Sequence, residues 1–117
     1  MQLDYVDVYY LHWPLIERVE NNEKWLHRGL EECWEKFELC VKKGYAKHLG
    51  VSNFNGQLLN DLLTFCKIKP IILQIEAHPY LMQQNLVDTA QRNGIHVLAH
   101  TPLGRGESQS EENNVLK

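Results

Sequence analysis

Gly44-Tyr45-Ala46-Lys47-His48-Leu49-Gly50-Val51-Ser52-Asn53-Phe54-Asn55 is the stretch on which the reading of the fold turns. Gly44 follows the basic pair Lys42-Lys43, a usual way for a helix to end. The run His48–Val51 then predicts a short strand, and it closes on two polar residues, Ser52 and Asn53. Upstream, Leu30, Cys33, Trp34, Phe37, Cys40 and Val41 recur at the spacing of one helix face. Downstream, Leu58, Leu59, Leu62, Leu63 and Cys66 form a second such stripe, ended by Pro70. One helix–strand–helix unit is therefore legible around a single glycine stop.

The same rhythm continues outward. Val6–Leu11, Ile71–Ile75 and Ile95–Ala99 are further short apolar runs, and Leu86, Val87 and Ala90 mark a third helix closed by Asn93-Gly94. The runs largely lack strict polar alternation, which predicts strands buried on both faces, as in a parallel sheet. Repeated strand–helix units predict an α/β fold. A polar insert over Ile16–Lys24 reads as a solvated loop, and residues 105–117 read as a mobile polar tail after a domain over residues 1–104.

Two parallel architectures fit this rhythm, an open doubly wound sheet and a barrel. Each predicted strand ends in polar residues: His12, Ser52-Asn53, Gln74-Glu76-His78 and His100-Thr101. Functional groups at the C-terminal ends of successive strands are what a (β/α)8 barrel presents around its mouth. No GxGxxG follows any strand, so the dinucleotide fingerprint of a doubly wound sheet is missing, and a flavodoxin-like domain is disfavoured for want of a phosphate loop. The expectation is a partial (β/α)8 barrel of about four βα units, where a complete one takes about 250 residues.

Composition narrows the function classes. The 117 residues are 44% hydrophobic and 23% charged, with a formal net charge of −3, ordinary values for a globular domain. Lys and Arg are scattered, so no nucleic-acid partner is expected. No apolar stretch reaches the length of a membrane span, and Asp4 and Asp7 break any secretory leader, so no membrane partner and a cytoplasmic location are expected. Three cysteines without CxxC spacing point to neither disulfides nor zinc; Cys33 and Cys40 share one helix face and are expected to be buried packing residues. Glu76, His78 and Tyr80 are read as shaping a strand exit, and no metal site is expected.

Four segments, in order and at βα spacing, resemble the aldo-keto reductase family: Leu3–Asp7 with His12-Trp13-Pro14, Gly50–Asn55, Gln74–Leu81, and Gly94-Ile95 with Thr101-Pro102-Leu103-Gly104. They look like the fourth to seventh strands of that family's barrel and span nearly the whole chain. The resemblance implies an NADP(H)-dependent oxidoreductase that transfers hydride to an aldehyde or ketone, a small-molecule carbonyl substrate. His12 then matches the catalytic histidine, able to donate a hydrogen bond to the substrate oxygen. Ser52, Asn53 and Gln74 match positions that hydrogen-bond the nicotinamide carboxamide; a local reading of Ser52-Asn53 is a turn entering the next helix. His100 falls where many members stack a tyrosine on the nicotinamide, and its His-Thr-Pro-Leu-Gly setting is similar to sugar and polyol reductases. Thr101, Leu103 and Gly104 match the start of the loop along the pyrophosphate. Trp13 is read equally as a substrate-lining residue and as core packing. Leu73 departs from the family's usual Asn. The family's proton-donating tyrosine, its lysine and its aspartate belong to earlier strands and have no match here, so the expectation is an incomplete, inactive portion of a reductase. The alternative is a non-catalytic truncated barrel acting as a nucleotide-binding or regulatory partner. Oligomeric state is left open.

Overall fold

The computed structural model describes residues 2–14, 19–20, 24–25 and 29–104; the expected tail at 105–117 lies outside them, as does His27. Strand β1 is Val6–Leu11, β2 Val19–Glu20, β3 Lys24–Trp25, β4 Ala46–Ser52, β5 Ile72–Glu76 and β6 His96–His100. Helices α1 (Leu30–Lys42), α2 (Gly56–Phe65) and α3 (Gln84–Arg92) fill the gaps. Each predicted strand and helix is present, with strand limits shifted by two residues or fewer. Part of the expected solvated insert is instead a small ladder, with Val19 opposite Trp25 and Glu20 opposite Lys24. Two-residue strands are too short to leave a periodic signal, which is why the sequence reads there as loop.

The main sheet has the order β1-β4-β5-β6, parallel throughout. Tyr10 pairs with Gly50, Gly50 with Ile72, and Ile72 with His96, a continuous row across all four strands. Strand order follows chain order, without the reversal of a doubly wound sheet, so right-handed crossovers place every helix on the same face. That is an arc of a β/α barrel. α1 lies on β4, α3 on β6, and α2 touches both neighbouring helices.

Strand side chains alternate, and the helix-facing set is the core. Leu49, Val51, Leu73 and Ile75 are buried together with Trp34, Leu59, Leu62, Leu86 and Ala90. The opposite, concave face carries Tyr10, His48, Gly50, Ser52, Ile72, Gln74, Glu76, His96, Leu98 and His100. Here the expectation of strands buried on both faces is corrected: His48 and His96 are exposed and Leu98 retains 47% of its accessible surface. No described helix covers the concave side, and β1 and β6 are edge strands. The cysteines are a second correction. None of the three is in a disulfide and all are half-buried; Cys33 and Cys40 lie on α1, where only part of each turn faces the sheet, and Cys66 caps the end of α2. Burial pushes the Cys66 thiol up, with the Glu38 carboxylate adding to the effect.

Two local devices hold the arc. Glu38 of α1, 2% exposed, accepts from the backbone N–H of Lys67 at 2.6 Å and of Ile68 at 2.9 Å. Trp34, one turn earlier, donates from Nε1 to the Ile68 carbonyl at 3.0 Å. Together they satisfy the backbone of the segment that turns α2 back into β5. Gly50 is the second device. A Cβ built there would lie 2.6 Å from Tyr10 Cε1, so the ring of Tyr10 lies across the bare backbone of β4.

Removing the Glu38 acceptor leaves two backbone donors unpaired. Glu38→Ala should cost about 2–3 kcal/mol, and Glu38→Gln distinctly less, in urea unfolding of the polypeptide. Equal losses for the two variants would exclude the acceptor role. Gly50→Ala should cost about 1–3 kcal/mol by overpacking. In a Tyr10→Ala background the same change should be nearly neutral, a coupling that a double-mutant cycle measures directly.

Candidate functional site at the C-terminal rim

Parallel strands bring their C-terminal ends to one rim, and the residues singled out by sequence gather there. His12 follows β1 directly. Its carbonyl accepts from Asn53 Nδ2 at 2.8 Å, and its imidazole is exposed beside Trp13, with ring centroids 5.9 Å apart and planes tilted by 37°. Trp13 is 57% exposed, which removes core packing as its role. Asn53 sits just past β4 in the left-handed region, φ +60°, a conformation that asparagine tolerates better than most residues. There its backbone N–H donates to the Gln74 carbonyl at 3.0 Å, while Nδ2 also reaches Ser52 Oγ at 3.2 Å.

Ser52 and Gln74 are direct register partners and so project from the same concave face. Ser52 is 1% exposed, so its hydroxyl supports Asn53 from beneath. Helix entry is a separate matter: Asn55, not Ser52 or Asn53, caps α2, its side chain accepting from Leu58 N at 2.9 Å. The turn reading of Ser52-Asn53 is therefore set aside; the Asn53 side chain reaches across to His12 and back to Ser52, not forward into α2.

The next rows complete the rim. Glu76 pairs with His100, and His100 Nδ1 lies 3.2 Å from Thr101 Oγ1. Thr101, with φ +50°, opens a turn closed by the Gly104 N–H on the Thr101 carbonyl at 2.9 Å. Leu103 protrudes from that turn, 72% exposed. Beyond β5, His78 and Leu81 exchange backbone hydrogen bonds at 3.2 and 2.8 Å, and His78 Nε2 stands 3.6 Å from Glu76 Oε1. Among the described residues no group of three His, Cys, Asp or Glu could hold a metal.

Gln83 was not singled out by sequence. It adopts φ +48° and donates from Nε2 to the Glu76 carbonyl at 2.6 Å. Glutamine is not a favoured residue at a helix start, it makes no side-chain cap on α3, and nothing local signals a bond back across seven residues. With Trp13, Asn53, Phe54, Asn55, Glu76 and others it lines a cleft of about 260 Å³. Asn53, Gln83 and Thr101 are the non-glycine residues with positive φ among those described. All three lie at or beyond C-terminal strand ends. Backbone held in such conformations concentrates where a site must be shaped.

Comparison with known proteins agrees with this geometry. The family model described as "Aldo/keto reductase family" matches residues 1–115. Aldose reductase B of Dictyostelium discoideum is 41% identical over 98% of this chain, and an NADPH-dependent D-xylose reductase of Candida boidinii is 37% identical over 89%. The chain spans 42% and 37% of those two proteins. Among solved structures, a Bombyx mori aldo-keto reductase in complex with NADP superposes with a TM-score of 0.82 at 32% identity, covering 96% of this chain and 36% of that one. Aldose reductase from Giardia lamblia gives 0.77 at 36% identity, over 88% and 37%. The winding of the sheet, the rim and the sequence matches agree, and the chain belongs to the aldo/keto reductase family.

Proposed function

We propose that this sequence supplies the histidine and the nicotinamide-facing part of an NADPH-dependent carbonyl reductase acting on an aldehyde or ketone. The observation that carries the reading is the set of bonds made by Asn53, which gathers His12, Ser52 and Gln74 from three strands at one rim. A carboxamide offers one acceptor and two donors. The side chains of Asn53 and Gln74 can meet both kinds without adding charge beside a hydride donor, and this neutral donor set fits a nicotinamide. On this reading His100 stacks on the ring, and Thr101 and Leu103 follow the pyrophosphate.

When bound, NADPH supplies the hydride that converts the carbonyl carbon to an alcohol carbon. His12 acts on the other atom of the same bond. An imidazole N–H aimed at the substrate oxygen stabilises the negative charge that grows there as the carbon is reduced. Trp13, exposed next to His12, covers the substrate side. By family resemblance the proton comes from a tyrosine with no match in these 117 residues, which by themselves reduce no carbonyl. A sugar-type substrate is favoured by the His-Thr-Pro-Leu-Gly setting of His100 and by relatives named as aldose and D-xylose reductases.

In the native polypeptide that carries this sequence, His12→Ala should lower kcat for NADPH-dependent reduction of glyceraldehyde or xylose by about 100- to 1000-fold. NADPH affinity should be nearly unchanged. Retention of kcat within about threefold would exclude a transition-state role for His12. NADPH oxidation by the 117 residues alone would overturn their proposed inactivity.

A further inference from the structure

Asn53 Nδ2 carries two hydrogens, and each has an acceptor: the His12 carbonyl at 2.8 Å and Ser52 Oγ at 3.2 Å. The orientation of the amide follows from chemistry. The His12 carbonyl can only accept, so the group facing it must be the NH2; the reversed amide would set two lone-pair oxygens against each other. Among the described residues no donor reaches Asn53 Oδ1. The backbone that carries this side chain is fixed as well, at φ +60° with its N–H on the Gln74 carbonyl at 3.0 Å.

We propose that Asn53 is a positioning residue for His12: its amide nitrogen ties the His12–Trp13 peptide to β4, and it meets a nicotinamide carboxamide through Oδ1 alone. This rests on the reading of the site given above and deepens it. His12 lies beyond the end of edge strand β1, and its peptide carbonyl is held to β4 by this one side chain. The imidazole stands on that peptide. Loosening the anchor lets the ring swing relative to the neighbouring strands, and geometric errors of this kind, about 1 Å, lower rates on the order of 100-fold. One side chain thereby sets the nicotinamide and the hydrogen-bond donor in a common frame.

Asn53→Asp is nearly isosteric. It keeps an oxygen at the Oδ1 position and replaces the donor facing His12 with a second oxygen. Asn53→Gly keeps the left-handed backbone and removes both groups. In the native polypeptide, the backbone carbonyl 13C resonance of His12, which reports the hydrogen bond that oxygen accepts from Asn53, should shift in both variants. The His12 ring signals in NMR spectra should broaden or shift. An unchanged His12 carbonyl resonance and unchanged His12 ring signals would overturn the anchor, whether or not the protein turns over substrate. For NADPH, Asn53→Asp should lower kcat about 10- to 100-fold more than it weakens binding, and Asn53→Gly should lose both. Loss of NADPH binding with kcat preserved in Asn53→Asp would refute the division of labour between the two ends of the amide. Wild-type protein that binds no NADPH would refute the nicotinamide reading and the Oδ1 contact together, with the His12 carbonyl resonance still deciding the His12 anchor.

Discussion

Parallel pairing is the constraint from which the rest of this structure follows. Two neighbouring strands that run the same way cannot be joined by a tight hairpin; the chain must cross over the sheet between them. Three successive crossovers of one hand place α1, α2 and α3 on one face and leave every strand pointing its C-terminal end the same way. The core then forms on the helix side, from Leu49, Val51, Leu73 and Ile75 against Trp34, Leu59, Leu62 and Leu86. The rim on which His12, Asn53, Gln74 and His100 meet is a geometric result of the same winding. Their closeness needs no local interaction to create it, only local interactions to refine it.

Those refinements are polar and cross between strands. Glu38 and Trp34 complete the backbone hydrogen bonding of the turn into β5, on the helix side. Asn53 ties the exits of β1, β4 and β5 on the rim. Gly50 acts by absence, letting the Tyr10 ring lie against β4. Burial raises the Tyr10 phenol above the usual tyrosine range, in keeping with a ring pressed onto backbone.

The architecture was legible because helix and strand periodicities differ and because glycine stops at Gly44 and Gly94 punctuate them. The rim residues were legible because they belong to short motifs at strand ends. What could not be read has physical causes. Burial on the concave face depends on what stands opposite it, and an apolar run has the same composition whether or not that face is covered; Leu98 shows the difference. The β2–β3 ladder is too short to be periodic. The Asn53-to-His12 bond joins residues 41 apart in sequence, and a local Asx turn was the competing local reading. Gln83 reaches Glu76 through a backbone conformation that no glycine announced. Trp13 illustrates the opposite case: substrate lining and core packing were equal readings in sequence, and its exposure sets core packing aside.

The spacing of the strands has a consequence for how such a site diversifies. Val8 pairs with His48, 40 residues on, whereas Gly50 pairs with Ile72 and Ile72 with His96 across 22 and 24. Chain closure depends only on the logarithm of loop length, so the longer connection costs about 0.5 kcal/mol more than the shorter ones. Added length between β1 and α1 is thus nearly free in stability. That connection leaves the sheet at Leu11, next to His12 and Trp13, where residues inserted into it border the mouth. The fold leaves room to lengthen or shorten the chain beside His12 while the β4, β5 and β6 framework that positions the other rim groups stays the same.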